Sequence, residues 1–214
     1  MRLSIILILP LLFFTGFGKS WNGQYDIWIK NPEPYGGLEV LQQIKEAKDS
    51  GATYLWLVGY NITDITPLAE LTNLEELYID ENNISDITPL AGLTNLTILI
   101  LSWNNISDLS SLKGLTNLAT LRLVDNNITD LTPLAELTNL TTLVLGGNNI
   151  FDLSPLKGLT KLTWLSLSGN NISDLTPITE LTNLTKLYLN NNISASQKEA
   201  LEKAMWNTAI YWID

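Results

Sequence analysis

The sequence predicts an α/β fold of the open, repeating kind: a curved right-handed solenoid with a concave parallel β-sheet, short 3₁₀ turns on the convex side, and helical N- and C-caps. Three observations predict it. From Asn61 to Asn192 the chain repeats every 22 residues without a gap, in six units that begin at Asn61, Asn83, Asn105, Asn127, Asn149 and Asn171. Each unit holds a short alternating apolar stretch suited to a half-buried strand, and most hold a hydroxyl-Pro pair suited to opening a helical turn. The segments on either side have helical apolar spacing instead, as the closed ends of a repeat array require.

Residues 1–18, MRLSIILILPLLFFTGFG, have the form of a signal peptide: Arg2, then an apolar run from Leu3 to Phe14, then Gly16 and Gly18 two apart. The run is shorter than the roughly 20 residues of a membrane-spanning helix, and Pro10 interrupts it. Cleavage after Gly18 is expected, giving an exported protein that begins near Lys19, secreted or periplasmic or held at the cell surface, with no spanning segment in the mature chain. The neighbouring FFTGFGKS imitates two other signals. A phosphate-binding loop would need glycine where Phe13 stands, and a lipoprotein leader would need cysteine where Phe17 stands, so neither a nucleotide site nor a lipid anchor is expected.

Residues 19–60 are expected to form the N-terminal end. Trp21 to Tyr35, with Pro32 and Pro34, reads as an extended strap. In GLEVLQQIKEAKDSG, Val40, Leu41, Ile44 and Ala47 fall at helical spacing and Gly51 is a stop, so a capping helix is expected. TYLWLVGYNI then reads as a first, degenerate strand, with Tyr60 in the place that asparagine takes later.

Residues 61–192 carry the six repeats. The clearest is NITDLTPLAELTNLTTLVLGGN, 127 to 148, in which Leu143 and Leu145 point inward while Thr142, Val144 and Gly146 point outward. The phrase L-x-x-L-x-L-x-x-N with a period of 20 to 29 is the signature of a leucine-rich repeat. Asn82, Asn104, Asn126, Asn148, Asn170 and Asn192 follow the strands, and an amide there can both donate to and accept from backbone groups left unpaired at the bend. They are expected to form an internal ladder. Thr66-Pro67, Thr88-Pro89, Thr132-Pro133, Ser154-Pro155 and Thr176-Pro177 read as a helix cap followed by its first residue; the third unit has Ser110-Ser111 and lacks only the proline. In residues 193–214, Ser196 and Glu199 of SQKE read as a capping box ahead of a closing helix with Leu201, Ala204 and Met205 as its apolar stripe, and AIYWI as a last strand.

The units DITPLAELTNL and DLTPLAELTNLTTLVLGGNNI resemble the 22-residue repeats of internalin-type bacterial leucine-rich repeat proteins, over about 130 residues of the chain. LQQIKEAKDSGATYLWL and KEALEKAMWNTAIYW resemble the caps of stand-alone bacterial leucine-rich repeat proteins. The resemblance implies a secreted or surface-exposed scaffold that binds a partner, usually a protein, on its concave sheet.

Composition removes several other functions. A formal charge of −10 opposes binding to a phosphate backbone, so no nucleic-acid partner is expected. With no histidine and no cysteine, Ser-His-Asp and Cys-His nucleophiles, disulfides and most zinc, copper and haem sites cannot be built. No catalytic residue, cofactor or metal is expected. Glu76, Asp80 and Glu81 are the one outward acidic group that suggests a two-carboxylate hydrolase, but residues four apart on a strand lie roughly 13 Å apart, too far for such a pair. The aspartate column at 64, 86, 108, 130, 152 and 174 suits capping of the following turn better than calcium.

The outward strand positions are therefore the binding candidates, because the core does not need them: Tyr54, Trp56, Glu76, Tyr78, Asp80, Ile100, Arg122, Val144, Trp164 and Tyr188, with Trp103 one step past its strand. Aromatic residues with an arginine among them have the composition of interaction hot spots. A protein partner is expected. The alternative is an envelope or extracellular polysaccharide-binding or structural protein, with Trp56, Tyr78, Trp103, Trp164 and Tyr188 stacking on sugar rings.

Overall fold

The computed structural model describes residues 21–190 and 193–213. The expected leader, with Phe17, and the last ladder asparagine, Asn192, lie outside the described residues. Eight strands form one parallel sheet in chain order: β1 (Tyr54–Trp56), β2 (Glu76–Tyr78), β3 (Ile98–Ile100), β4 (Thr120–Arg122), β5 (Thr142–Val144), β6 (Trp164–Ser166), β7 (Lys186–Asn190) and β8 (Ala209–Ile213). The register follows the repeat. Leu55, Leu77, Leu99, Leu121, Leu143, Leu165 and Leu187 stand side by side, each 22 residues from the last, and only the step from Leu187 to Ile210 is one residue longer.

Leucines from the strands and from the returning segments bury one another completely. Along one unit, Leu121, Leu123, Ile128, Leu131, Leu134, Leu137 and Leu140 are all at or below 1% exposure. No unit could bury these side chains by itself, since each strand contacts only its two neighbours; the stacking supplies the core. The return side carries the 3₁₀ turns Thr66–Leu68, Thr88–Leu90, Ser110–Leu112, Thr132–Leu134, Ser154–Leu156 and Thr176–Ile178. The turn at Ser110 forms without proline.

Of the two caps expected for these turns, the aspartate forms and the hydroxyl does not. The hydroxyl residue is the first residue of the turn and its side chain is not the cap. The aspartate two positions earlier does that work: its Oδ1 accepts the backbone N–H of Thr66, Thr88, Ser110, Thr132, Ser154 and Thr176 at 2.8–2.9 Å. A carboxylate accepts more strongly than a hydroxyl and complements the positive end of the turn.

After each of the first six strands the chain bends through one residue with a left-handed backbone. Gly59, Glu81, Trp103, Asp125, Gly147 and Gly169 all have φ between 50° and 77°. At Gly169 a side chain is excluded, since a Cβ there would lie 2.9 Å from the backbone nitrogen of Gly147 and 3.1 Å from its Cα.

At the N-terminal end the expected strap is instead a helix, α1 (Trp21–Trp28), followed by a 3₁₀ turn at Glu33–Tyr35. Trp21, Tyr25 and Trp28 fall on one face: Trp21 stacks on Tyr25 at 5.4 Å and meets Trp28 edge-on at 5.6 Å, and both tryptophans are buried. The Trp21 indole N–H donates to the carbonyl of Pro67. Helix α2 (Leu38–Ser50) buries Val40, Leu41, Ile44 and Ala47 and ends at Gly51, which is left-handed and donates to the carbonyls of Ala47 and Lys48.

At the other end, α3 (Ala195–Ala204) begins one residue before Ser196, with Ser194 as the cap residue and no side-chain cap bond, so the expected capping box does not form. Gln197 takes a different part. Its Oε1 accepts the N–H of Leu175 at 3.0 Å and its Nε2 donates to the carbonyl of Ser173, tying α3 to the last full repeat. Leu201 and Met205 are buried beneath it, while Ala204, expected in the same stripe, is exposed.

Candidate functional site

Two polar columns shape the sheet before any ligand does. Asn82, Asn104, Asn126, Asn148 and Asn170 are buried at 5–7% exposure. Asn126 is typical: Oδ1 accepts the N–H of Ile106 at 2.9 Å, and Nδ2 lies within 3.0–3.3 Å of the carbonyls of Leu101, Leu123 and Val124. Each amide thus joins its own bend to the preceding unit. Tyr60 stands at the same place in the first turn with a different role; its backbone N–H donates to Oδ1 of Asn82, and its hydroxyl accepts from Gln43 of α2. A second amide column escaped the sequence reading. Asn95, Asn117, Asn139 and Asn183 donate to carbonyls one unit back at 2.8–2.9 Å, and the recurring L-T-N-L phrase was its signal.

With both bends fixed, the outward strand residues stand on a rigid sheet in two groups. At the N-terminal end Trp56 stacks on Tyr78 with ring centres 5.0 Å apart and planes 18° apart, and Tyr54 tilts against Tyr78 at 5.6 Å. Half the surface of Trp56 and of Tyr54 is exposed. The Tyr78 hydroxyl donates to Glu76 at 3.1 Å, and its pKa is raised above the ordinary value by burial first and by that bond second. Beside this wall opens a cavity of about 460 Å³, lined by Trp56, Tyr78, Asp80, Ile98, Ile100, Thr120 and Arg122. Burial raises the Asp80 carboxyl above its ordinary pKa, against a backbone hydrogen bond that lowers it.

At the C-terminal end Trp164 tilts against Tyr188 at 6.5 Å, and Tyr188 stacks on Tyr211 at 4.6 Å. The Arg122 guanidinium lies 5.1 Å from the Trp164 ring centre and the Lys186 ammonium 5.5 Å from it, both placed for cation–π attraction. Tyr211 was missed in the sequence reading, although the alternation of AIYWI places it outward. Two expected residues are less available than their position suggests. Val144, between Arg122 and Ser166 on the adjacent strands, is only 8% exposed. Trp164 is partly covered, and its indole N–H is enclosed without a hydrogen-bond partner. Ile100 is half-buried at the cavity wall, and Trp103 is half exposed at its left-handed bend.

Among the described residues no three side chains of Asp or Glu converge as metal ligands would, and no helix is long and apolar enough to cross a membrane.

The leucine-rich repeat family model (two copies per match) fits residues 53–92, 72–114, 94–135, 116–158 and 160–202. The chain belongs to the leucine-rich repeat family, and its repeats are of the internalin type. Among solved structures it is similar to an internalin (inlF) from Listeria monocytogenes, with 36% identity and a TM-score of 0.66 over 74% of this chain and 46% of that one. It is also similar to internalin C2 of the same organism, with 32% identity and a TM-score of 0.76 over 87% of this chain and 84% of that one. A leucine-rich repeat protein of Leptospira interrogans matches at 30% identity and a TM-score of 0.67, over 71% of this chain and 41% of that one. The chain therefore spans under half the length of the first and third of these structures. No curated protein matches it.

Proposed function

We propose that this is an exported, non-catalytic scaffold that captures a protein partner on its concave face. The observation that supports the reading is the wall of exposed, mutually stacked aromatic residues Tyr54, Trp56 and Tyr78 beside an open cavity on a sheet whose bends are pinned by buried amides. Large rigid side chains already held against one another lose little freedom on binding, which is the economy of a preorganised surface. The internalin-type repeats, the leader-like residues 1–18 and the net charge of −10 fit a surface or secreted binder better than a nucleic-acid-binding protein.

The test is capture. The protein is immobilised and exposed to envelope and cell-surface protein extracts, and bound proteins are identified by mass spectrometry. A variant with Trp56, Tyr78 and Arg122 all replaced by Ala should keep its melting curve and lose capture by more than tenfold. Undiminished capture by that folded variant would refute the concave-face reading. A glycan array run in parallel addresses polysaccharide binding through the same aromatics, and saturable glycan binding lost in the variant would replace the protein partner with a sugar.

A further inference from the structure

Resting on that reading, we infer that the cavity beside Trp56 seats an arginine side chain of the protein partner. Its walls match the parts of that side chain separately. The stacked rings of Trp56 and Tyr78 offer a flat face at one side. A planar guanidinium lies over such a face, combining stacking with cation–π attraction. Ile98 and Ile100 present half-buried aliphatic surface, suited to the methylene stem. Asp80 supplies a carboxylate at the same cavity, and the fork of guanidinium N–H groups can reach it in a bidentate pair.

The charges around the cavity favour a cation. No lysine or arginine among the described residues lies within salt-bridge distance of Asp80, whose carboxylate is partly withdrawn from water. The one cation lining the cavity, Arg122, holds its guanidinium over Trp164; its charge favours the ionised Asp80 from a distance, without reaching salt-bridge distance. A neutral apolar anchor would cover Asp80 and leave a buried charge unpaired, which is costly. An acidic anchor would meet Asp80, with Glu76 in the strand just before it. A sugar ring could stack on Trp56 with Asp80, Thr120 and Arg122 as partners for its hydroxyls, but it would leave the Asp80 charge without a cation, and the glycan array reports that outcome. Lysine would satisfy the charge without the planar stacking.

The inference is tested on the ¹⁵N-labelled protein by NMR titration with N-acetyl-arginine methylamide and, separately, with its citrulline counterpart, which has the same shape and no charge. The arginine compound should shift the Trp56 indole N–H signal and the amides of β2 and β3 saturably, with an affinity about tenfold above that of citrulline. The preference should vanish in Asp80→Asn, whose melting temperature serves as the folding control, and the lysine compound should fall between the two. Equal affinity for citrulline, an arginine preference that survives in Asp80→Asn, shifts confined to other residues, or no shift at the solubility limit would each overturn the inference. If capture is lost in the triple alanine variant while arginine shows no preference, only this inference fails. If capture is undiminished, the concave-face reading itself fails.

Discussion

At the scale of single residues, the two positions flanking each bend obey different rules. The ladder position requires an amide, because only an amide can accept from one backbone N–H while donating to several carbonyls. Asn126→Ala would leave the N–H of Ile106 and the carbonyls of Leu101 and Leu123 without that partner in a dry interior. A loss of ~2–4 kcal/mol is expected in urea unfolding, with the slope unchanged. Asn126→Asp keeps the acceptor and loses the donors. The position just before the ladder has no such chemical requirement, only a conformational one. Gly, Glu, Trp and Asp all occupy it with positive φ. The ladder was therefore legible in the sequence as a recurring asparagine, whereas the left-handed column was not, since its members share nothing but a backbone angle. A bulky tryptophan is an expensive occupant, and Trp103→Gly should stabilise the protein by about 1 kcal/mol in the same measurement. If Trp103 touches the partner, the same variant should bind more weakly, which capture assays on the stabilised protein would reveal.

At the scale of elements, the convex turns depend on carboxylates. Asp86, Asp108, Asp152 and Asp174 have pKa values below the ordinary one, first because of the side-chain hydrogen bond to the hydroxyl residue two positions on and second because of the backbone bond there. A depressed folded-state pKa stabilises the fold above the unfolded value, near 3.9, and that stabilisation is lost as pH falls through the folded values. Asp80 has the opposite sign, since its raised pKa favours the fold at lower pH. Four groups oppose one, so thermal melting followed by circular dichroism should show a melting temperature that holds from pH 7 to about 5 and declines below about 4. The end elements show what sequence spacing can hide. Trp21, Tyr25 and Trp28 recur at helical spacing, yet Pro32 and Pro34 suggested an extended strap; the helix simply ends before the prolines begin. SQKE matched a capping box in letters, but Gln197 serves the preceding repeat instead. Trp28→Ala should cost ~3–5 kcal/mol by chemical denaturation, because the ring is buried against Trp21 and Tyr35.

At the scale of the whole molecule, strand order and register were readable because parallel partners lie one period apart in the chain. Accessibility on the concave face was not, since it depends on neighbours 22 residues away: Val144 and Tyr78 occupy the same outward place in their strands, but one is covered and the other frames a cavity. Removing residues 127–148 should leave a folded protein with seven strands, because Leu121 would then pair directly with Leu165. Its denaturant slope should fall by about one eighth, in proportion to the surface no longer buried. An aggregated or non-cooperative product would show that the array tolerates no change of length. The regular stacking of the strands, by a 22-residue step from β1 to β7 and one residue more to β8, also makes the concave face a ruler. Parallel strands sit about 4.8 Å apart, so Trp56 on the first and Tyr211 on the last are separated by seven graduations, roughly 34 Å along the sheet. Adding or deleting one unit between the two aromatic groups would slide one against the other by a single graduation while leaving both intact. Evolution, or a designer, can thereby retune the distance between two footholds without touching either.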